Sequence, residues 1–351
     1  MPRERTFVLL LLTFVVGGLV LGHFRGQDRE LVSFRLSPEH PAPEDRSRVE
    51  RRWRDPQLEP VSTFGAGGES PVVQAVAARR GAAGEILVLD WADAAVKAFD
   101  ESGSPAWRIP DPSAPGDGLR PVDFAVAAGG GLWVAESAAP RVALFDAGGT
   151  RRRVVTVGSP ASRIVPAADG GFTILTLAAG SHLFETYGPD GELRRRFGRL
   201  LAGDFQEPLL LDGAVAADAA GGLVFAPTYV GVLAAYDRDG GLRFLVETVG
   251  GGSRDLPQVV ATETRRFLDP GARLRSLAVH VAGGLVYVLS ERRAASSRSR
   301  ILDVYSISDG AYLHSLRLPT GPREFLVEGD RLYTVHKDRI ETWRARAGFG
   351  G

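Results

Sequence analysis

The chain of 351 residues contains no cysteine. That excludes disulfides, a disulfide-linked partner, thiolate metal sites, a cysteine nucleophile and the cysteine that carries the lipid of a bacterial lipoprotein. It contains no asparagine either, which removes every N-glycosylation acceptor and one of the ordinary oxygen ligands of calcium. Lysine is nearly missing, with only Lys97 and Lys337 beside 40 arginines; together with plentiful Ala and Gly, that bias fits a GC-rich bacterial coding sequence. There is no excess of charge of one sign. The 42 basic residues balance 42 acidic ones, so binding to nucleic acid, which requires a basic surplus to neutralise phosphates, is not expected. The six histidines (His23, His40, His182, His280, His314 and His336) form no His-Glu-x-x-His pair, and no Gly-x-Ser-x-Gly elbow occurs. Zinc chemistry and nucleophilic hydrolysis therefore lack their usual motifs, and no catalytic residue is assigned.

With 44% hydrophobic and 24% charged residues, the chain has enough apolar surface to bury a sizeable core. Its longest uncharged, mostly apolar run is near the start, from Phe7 to Gly22, behind Arg3 and Arg5. At 16 residues the run is shorter than the roughly 20 that cross a bilayer comfortably, and longer than the roughly 7 to 15 of a signal-peptide core. Residues 1–24 are expected to be a hydrophobic helix acting as a signal anchor or signal peptide; the lack of an Ala-x-Ala pattern before His23 favours the uncleaved anchor. In either case Arg3 and Arg5 hold the start in the cytoplasm and export the remainder, periplasmic or extracellular, or secreted if cleaved. Residues 25–57 mix charges of both signs with Pro38, Pro41, Pro43 and Pro56 and read as a stalk, with two patches, Leu31 to Leu36 and Trp53, able to dock back.

From residue 58 to the end one pattern returns. Gly84 to Ile109, GEILVLDWADAAVKAFDESGSPAWRI, reads as three short strands, and related copies begin at Gly130, Gly170, Gly221, Gly283 and Gly329. Each copy is preceded by a further apolar stretch, such as Val122 to Ala127, so each unit is a four-stranded meander. Runs such as Ile86 to Leu89 are apolar on consecutive residues, which marks strands covered on both faces. An aromatic closes the third strand at Phe99, Phe145, Tyr187, Tyr236, Tyr305 and Trp343, mostly at the spacing of about 40 to 50 residues usual for a propeller blade. Asp190-Gly191, Asp239-Gly240 and Asp309-Gly310 supply hairpin turns. The expectation is all-β: a six-bladed β-propeller over residues 58–351. The last unit stops at its third strand, and Leu58 to Phe64 is a spare strand that would complete it from the amino terminus and leave no open edge.

The segment FGAGGESP followed by AVAARRGAAGEILVLDWADAAVKAFDESG resembles the NHL-repeat type of six-bladed propeller. Phe64, Gly65, Pro71, Val88, Asp90, Val96, Phe99, Asp100 and Gly103 match that pattern. The second unit matches at Val134, Val142, Phe145 and Asp146 but carries Glu136 for the first acid, and later units drift. The resemblance covers roughly Leu58 to Trp343 and implies the fold rather than an activity, because the family is functionally mixed.

Turns between first and second strands and between third and fourth strands are short. The opposite face carries long, dissimilar connections: Pro110 to Arg120, Gly198 to Asp212, Thr248 to Arg273 and Glu291 to Arg300. Variable loops on a rigid scaffold are where binding usually resides. Candidate binding residues there are Asp90, Trp91, Asp93, Glu136, Tyr229, Glu291, His336 and Lys337. A carboxylate cluster at a propeller mouth is able to hold calcium, yet calcium enzymes of similar look use Asn ligands that this chain lacks; no cofactor is expected. The arginine triplets Arg151 to Arg153 and Arg194 to Arg196 open fourth strands, where charge blunts edge pairing. The function read from sequence is non-enzymatic: a membrane-tethered, extracytoplasmic propeller that binds a protein or cell-envelope component through its long-loop face. A calcium-dependent hydrolase, lactonase or lyase is the alternative.

Overall fold

In the computed structural model, residues 30–349 are described except for 41–42, 44–45, 47–48, 69, 110–119, 137–138, 177–179, 252–255 and 291–299. The hydrophobic segment over residues 1–24 and the candidate Glu291 lie outside the described residues.

Among the described residues six sheets follow one another, each built on an antiparallel meander in which strands adjacent in sequence pair; the amino-terminal region adds a further strand to the fifth and the sixth. The first comprises Ala75–Arg80, Ile86–Asp90, Ala95–Phe99 and Pro105–Ile109. The second runs from Pro121–Val126 to Arg151–Thr156, the third from Ala161–Pro166 to Leu193–Phe197, and the fourth from Gly213–Ala217 to Leu242–Glu247. The fifth spans Ser276–Ala282 to Tyr312–Arg317. The sixth holds Glu324–Glu328, Arg331–Val335 and Ile340–Ala345, and its outer strand is Leu58–Phe64, paired antiparallel from Ile340 opposite Phe64 to Ala345 opposite Leu58.

The innermost strands touch in cyclic order. That of each sheet contacts those of its two neighbours, and the innermost strand of the sixth meets that of the first. The core is correspondingly divided into wedges between adjacent sheets. One wedge joins Ala125, Trp133 and Val155 to Ile164 and Phe172, another joins Phe64, Leu326 and Tyr333 to Ile86 and Phe99, and an aromatic group of Phe184, Phe197, Phe225 and Tyr236 lies between the third and fourth sheets. Packing on both faces explains why Ile86–Asp90, Leu132–Glu136 and Leu223–Pro227 are buried at every position and do not alternate.

The turns between third and fourth strands latch neighbouring sheets. Asp100 Oδ1 accepts from the amides of Ser102 and Ser104 at 2.9 and 2.8 Å, and Gly103 adopts φ +87°. A Cβ on Gly103 would stand 2.4 Å from Cβ of Phe64, so only glycine fits both the backbone and the neighbour. Gly149, Gly191, Gly240 and Gly310 meet Ile109, Val155, Phe197 and Phe244 of the preceding sheet in the same way. Phe64 thus occupies the position, relative to the first sheet, that an outer-strand residue of each preceding sheet occupies elsewhere.

The stretch expected as a stalk is bound along much of its length. Leu36 bridges Leu201, and the amide of Ser37 donates to the Leu200 carbonyl at 2.7 Å. The Arg46 amide donates to buried Glu247 at 2.6 Å. Arg51 reaches fully buried Asp303 through Nε at 2.9 Å and Nη2 at 3.0 Å, and Trp53–Arg54 adds a parallel strand to the fifth sheet. The docking patch around Trp53 is therefore anchored by the ion pair upstream of it.

Residues 30–34 with 257–272 form a separate small unit. Glu30–Val32, Val259–Ala261 and Arg266–Leu268 make its antiparallel sheet, with Leu31 opposite Val260 and Val260 opposite Phe267. Gln258 Nε2 donates to Ser33 Oγ at 3.0 Å. The long segment Thr248 to Arg273 is thus not a plain loop: an internal hairpin gives its apolar residues a strand partner.

Candidate functional site

The acids expected at the long-loop face are mostly committed to structure. Asp90, fully buried at the end of its strand, accepts from the amides of Val73 at 2.8 Å and Gln74 at 2.9 Å and from Lys97 Nζ at 2.7 Å. Lys97, itself buried, also reaches Asp93. Burial pushes the Asp90 carboxyl up, but the bonds from Lys97, Val73 and Gln74 outweigh it and hold the group below its ordinary value. Glu136, 3% exposed, is held by Arg141 through Nε at 2.9 Å and Nη2 at 2.7 Å. His336 is buried between Thr320 and Glu341, with Nε2 3.2 Å from Glu341 Oε2. Lys337 is exposed, and its carbonyl accepts from the Ala75 amide at 2.8 Å, tying the sixth sheet to the first. Tyr229 is half-buried. Among the described residues, no hydrogen bond or ion pair joins Glu136 to the Asp90 turn, and no group of three or more His, Cys, Asp or Glu is placed to hold a metal ion.

Trp91 differs. It is 55% exposed and stands on the rim of a cavity of about 370 Å³ in the central channel. The cavity is lined by the starts of inner strands and by Gln74, Trp91 and Arg323, which places its opening on the face of the long connections. Its polar wall comes from four sheets: Arg79 from the first, Asp123 from the second, Arg163 from the third, and Arg323 with Glu324 from the sixth. The fourth and fifth sheets contribute apolar groups, Ala214, Val215, Leu277 and Val279.

Asp123, 1% exposed, is the hub of this wall. It accepts from Arg79 Nη2 at 3.1 Å, from its neighbour's amide, Phe124, at 2.9 Å, and from the Ile164 amide at 3.1 Å, so one carboxylate couples three consecutive sheets. Arg79 also donates through Nη1 to the Ala78 carbonyl at 2.7 Å, and Arg163 Nη1 donates to the Ser162 carbonyl at 2.7 Å. Arg163 and Arg323 form no ion pair among the described residues. Glu324 Oε1 accepts from the Phe325 amide at 3.0 Å, and among the described residues no cation is bonded to it. Burial in the channel raises its carboxyl to about 7, with Asp123 adding to the rise and Arg79 and Arg163 opposing it. Deeper in the channel, His280 Nε2 lies 3.1 Å from the Val327 carbonyl, and burial lowers the imidazole to about 4. At neutral pH it is an uncharged donor to that carbonyl.

The sequence marks the strand-end acids as candidates but not Arg79, Asp123, Arg163, Arg323 and Glu324. Four of the five are charged residues of mostly apolar inner strands, AVAARR, PVDFAV, ASRIVP and EFLVE, with Glu324 at the start of the last. A charge interrupting an apolar strand of a ring points into the channel, and that was the available signal.

No protein-family model matches the sequence, and no curated protein matches it by sequence. Solved structures match by shape. Virginiamycin B lyase from Staphylococcus aureus aligns with a TM-score of 0.53 at 12% identity, over 82% of this chain and 99% of its own. A streptogramin B lyase aligns at 0.52 and 13% identity, over 82% of this chain and 97% of its own. Hydrazine synthase from Kuenenia stuttgartiensis aligns at 0.51 and 11% identity, over 81% of this chain and 99% of its own. At such identities the likeness carries the fold alone. Together with the meander sheets and the cyclic contact of their inner strands, it establishes that this chain folds as a β-propeller.

Proposed function

We propose that the chain is a non-enzymatic, six-bladed binding propeller of NHL-repeat type, tethered to a membrane by residues 1–24, which engages a protein or cell-envelope component through the long-connection face. The cyclic contact of six inner strands and the completion of the sixth sheet by Leu58–Phe64 support the blade count. The tether rests on Arg3, Arg5 and the apolar run from Phe7 to Gly22; among the described residues no helix is long and apolar enough to cross a membrane.

The observation that carries the binding reading is the channel mouth itself. Charged groups from four sheets converge there beside an exposed tryptophan, while Asp90, Asp93 and Glu136 are taken up by Lys97 and Arg141. Exposed aromatic and arginine side chains are the residue types that anchor interfaces. The alternative calcium enzyme would need those carboxylates free, so it has less support; the lyase neighbours add only the fold.

A photo-crosslinking amino acid placed at Trp91, or at exposed Ser102 on the opposite face, tests the reading in cells. Adducts from position 91 and none from 102 are expected, and equal yields from both positions would sink the assignment of the face. Membrane fractionation of the same cells checks the tether, with the chain expected in the pellet after alkaline washing. The calcium alternative is tested by metal content and a melt with and without chelator: no stoichiometric ion and an unchanged melt are expected.

A further inference from the structure

We infer that the channel mouth is a carboxylate-binding site in which the guanidiniums of Arg163 and Arg323 receive the ligand's anionic oxygens. This deepens the binding function proposed above and rests on it.

Three features of the cavity select that chemistry. The first is charge: Arg79 is paired with Asp123, but Arg163 and Arg323 line the same space with no carboxylate bonded to either among the described residues, so the cationic groups lining the cavity outnumber the anionic ones. The planar guanidinium presents paired N–H donors that match the two oxygens of a carboxylate. The second is size. A cavity of about 370 Å³ lies at the small end of the range typical of ligand pockets, and with apolar Val215 and Val279 opposite the charges it suits a short acid or one acidic side chain rather than a bulky polyanion. Low dielectric on one wall strengthens a charge-assisted bond on the other. The third is Glu324, whose carboxyl has, among the described residues, only the Phe325 amide as a hydrogen-bond donor.

Glu324 makes the site sensitive to pH. The groups that face it are Arg79 and Arg80 from the adjoining first sheet, Asp123 and Arg163 from the second and third, Arg323 beside it, and His280, uncharged at neutral pH, from the fifth sheet; among the described residues the fourth sheet offers none. Below about pH 7 its carboxyl is protonated and donates to the ligand. Above that its charge opposes the ligand, and linkage of one proton weakens binding by up to about tenfold per pH unit.

The same chemistry has two sources, a free small acid or an acidic side chain of a protein. Calorimetry on the full chain in detergent, with succinate and with a blocked oligo-aspartate peptide at about pH 6 and about pH 8, separates them. Binding of succinate that the peptide displaces assigns a carboxylate site open to both sources. Succinate alone points to a free acid, and the peptide alone to a protein acid. Arg323→Ala and Arg163→Ala are each expected to weaken binding at least tenfold, and Glu324→Gln to leave binding nearly equal at both pH values. Thermal melts of the variants confirm folding, and exposed Arg323 keeps one variant free of core damage. No heat from either probe at the lower pH, or unchanged affinity in folded Arg323→Ala and Arg163→Ala, overturns the inference. That failure is distinct from failure of the binding function, because crosslinking at Trp91 reports a partner whatever the chemistry of the cavity.

Discussion

Phe64→Ala tests whether the amino-terminal strand holds the ring together. Phe64 is 8% exposed, its ring lies 5.4 Å from that of Phe99, and its Cβ sits against Gly103. Truncating a buried phenylalanine costs about 3–5 kcal/mol, of which the ring pair supplies about 0.5–1.5. The upper part of that range is expected, because Gly103 has no side chain to move into the void and its φ of +87° fixes the turn. Against a total stability of about 5–15 kcal/mol this is a large fraction. It corresponds to a fall in melting temperature on the order of 10 °C. Trp53→Ala is the control, since Trp53 is 50% exposed, belongs to a strand of two residues and packs chiefly under Arg317, 4.8 Å from its ring. Its loss is expected to cost about 1 kcal/mol. Urea titration followed by fluorescence and circular dichroism reads both variants. Equal shifts would refute closure by Leu58–Phe64 as a principal source of stability.

Other residues give separate tests. Arg51→Ala leaves Asp303 buried with, among the described residues, only the Ser290 and Ser315 hydroxyls as partners, so a loss of about 3–5 kcal/mol is expected by denaturant titration, together with faster proteolysis near Trp53. Lys97→Met strands the buried Asp90 carboxylate and is expected to cost a similar amount. Asp90, held below its ordinary value, stabilises the fold fully above its unfolded pKa of about 3.9 and loses that contribution as pH falls through the lower folded value. Melts from about pH 7 down to about pH 3 are therefore expected to show the gap between wild type and Asp90→Asn narrowing only at the acid end. Glu324 behaves oppositely. Its carboxyl is raised to about 7, so the contribution of its neutral form is present below the unfolded value and is lost as pH rises toward 7. Glu324→Gln is expected to gain on wild type across that window by at most on the order of 3 kcal/mol, and parallel melting curves would contradict it.

Periodicity alone made the sheets legible. Consecutive apolar residues in Ile86–Asp90 require cover on both faces, and the Asp-Gly turns set where each strand ends, because both are local properties of the chain. The spare strand Leu58–Phe64 was legible for the same reason: a repeat lacking one strand at its end and holding one extra at its start has a single way to leave no edge unpaired. Composition likewise excluded thiol chemistry outright.

The partners of charged side chains belong to the tertiary structure. Asp90 and Asp93 stand in the sequence as acids of the long-loop face, able as a cluster to hold calcium, yet the ring folds Lys97 onto both, and the same carboxylates become internal ion pairs. The stretch from Arg35 to Pro56 has the composition of a linker, but buried Asp303, Glu247 and the edge of the fifth sheet give Arg51, Arg46 and Trp53 their partners from far along the chain. The channel wall is the clearest case. Arg79, Asp123, Arg163 and Glu324 are separated by tens to hundreds of residues and share no motif. Each became a neighbour of the others only because closing the ring turned one side of every inner strand toward a common axis, a juxtaposition that no local pattern encodes.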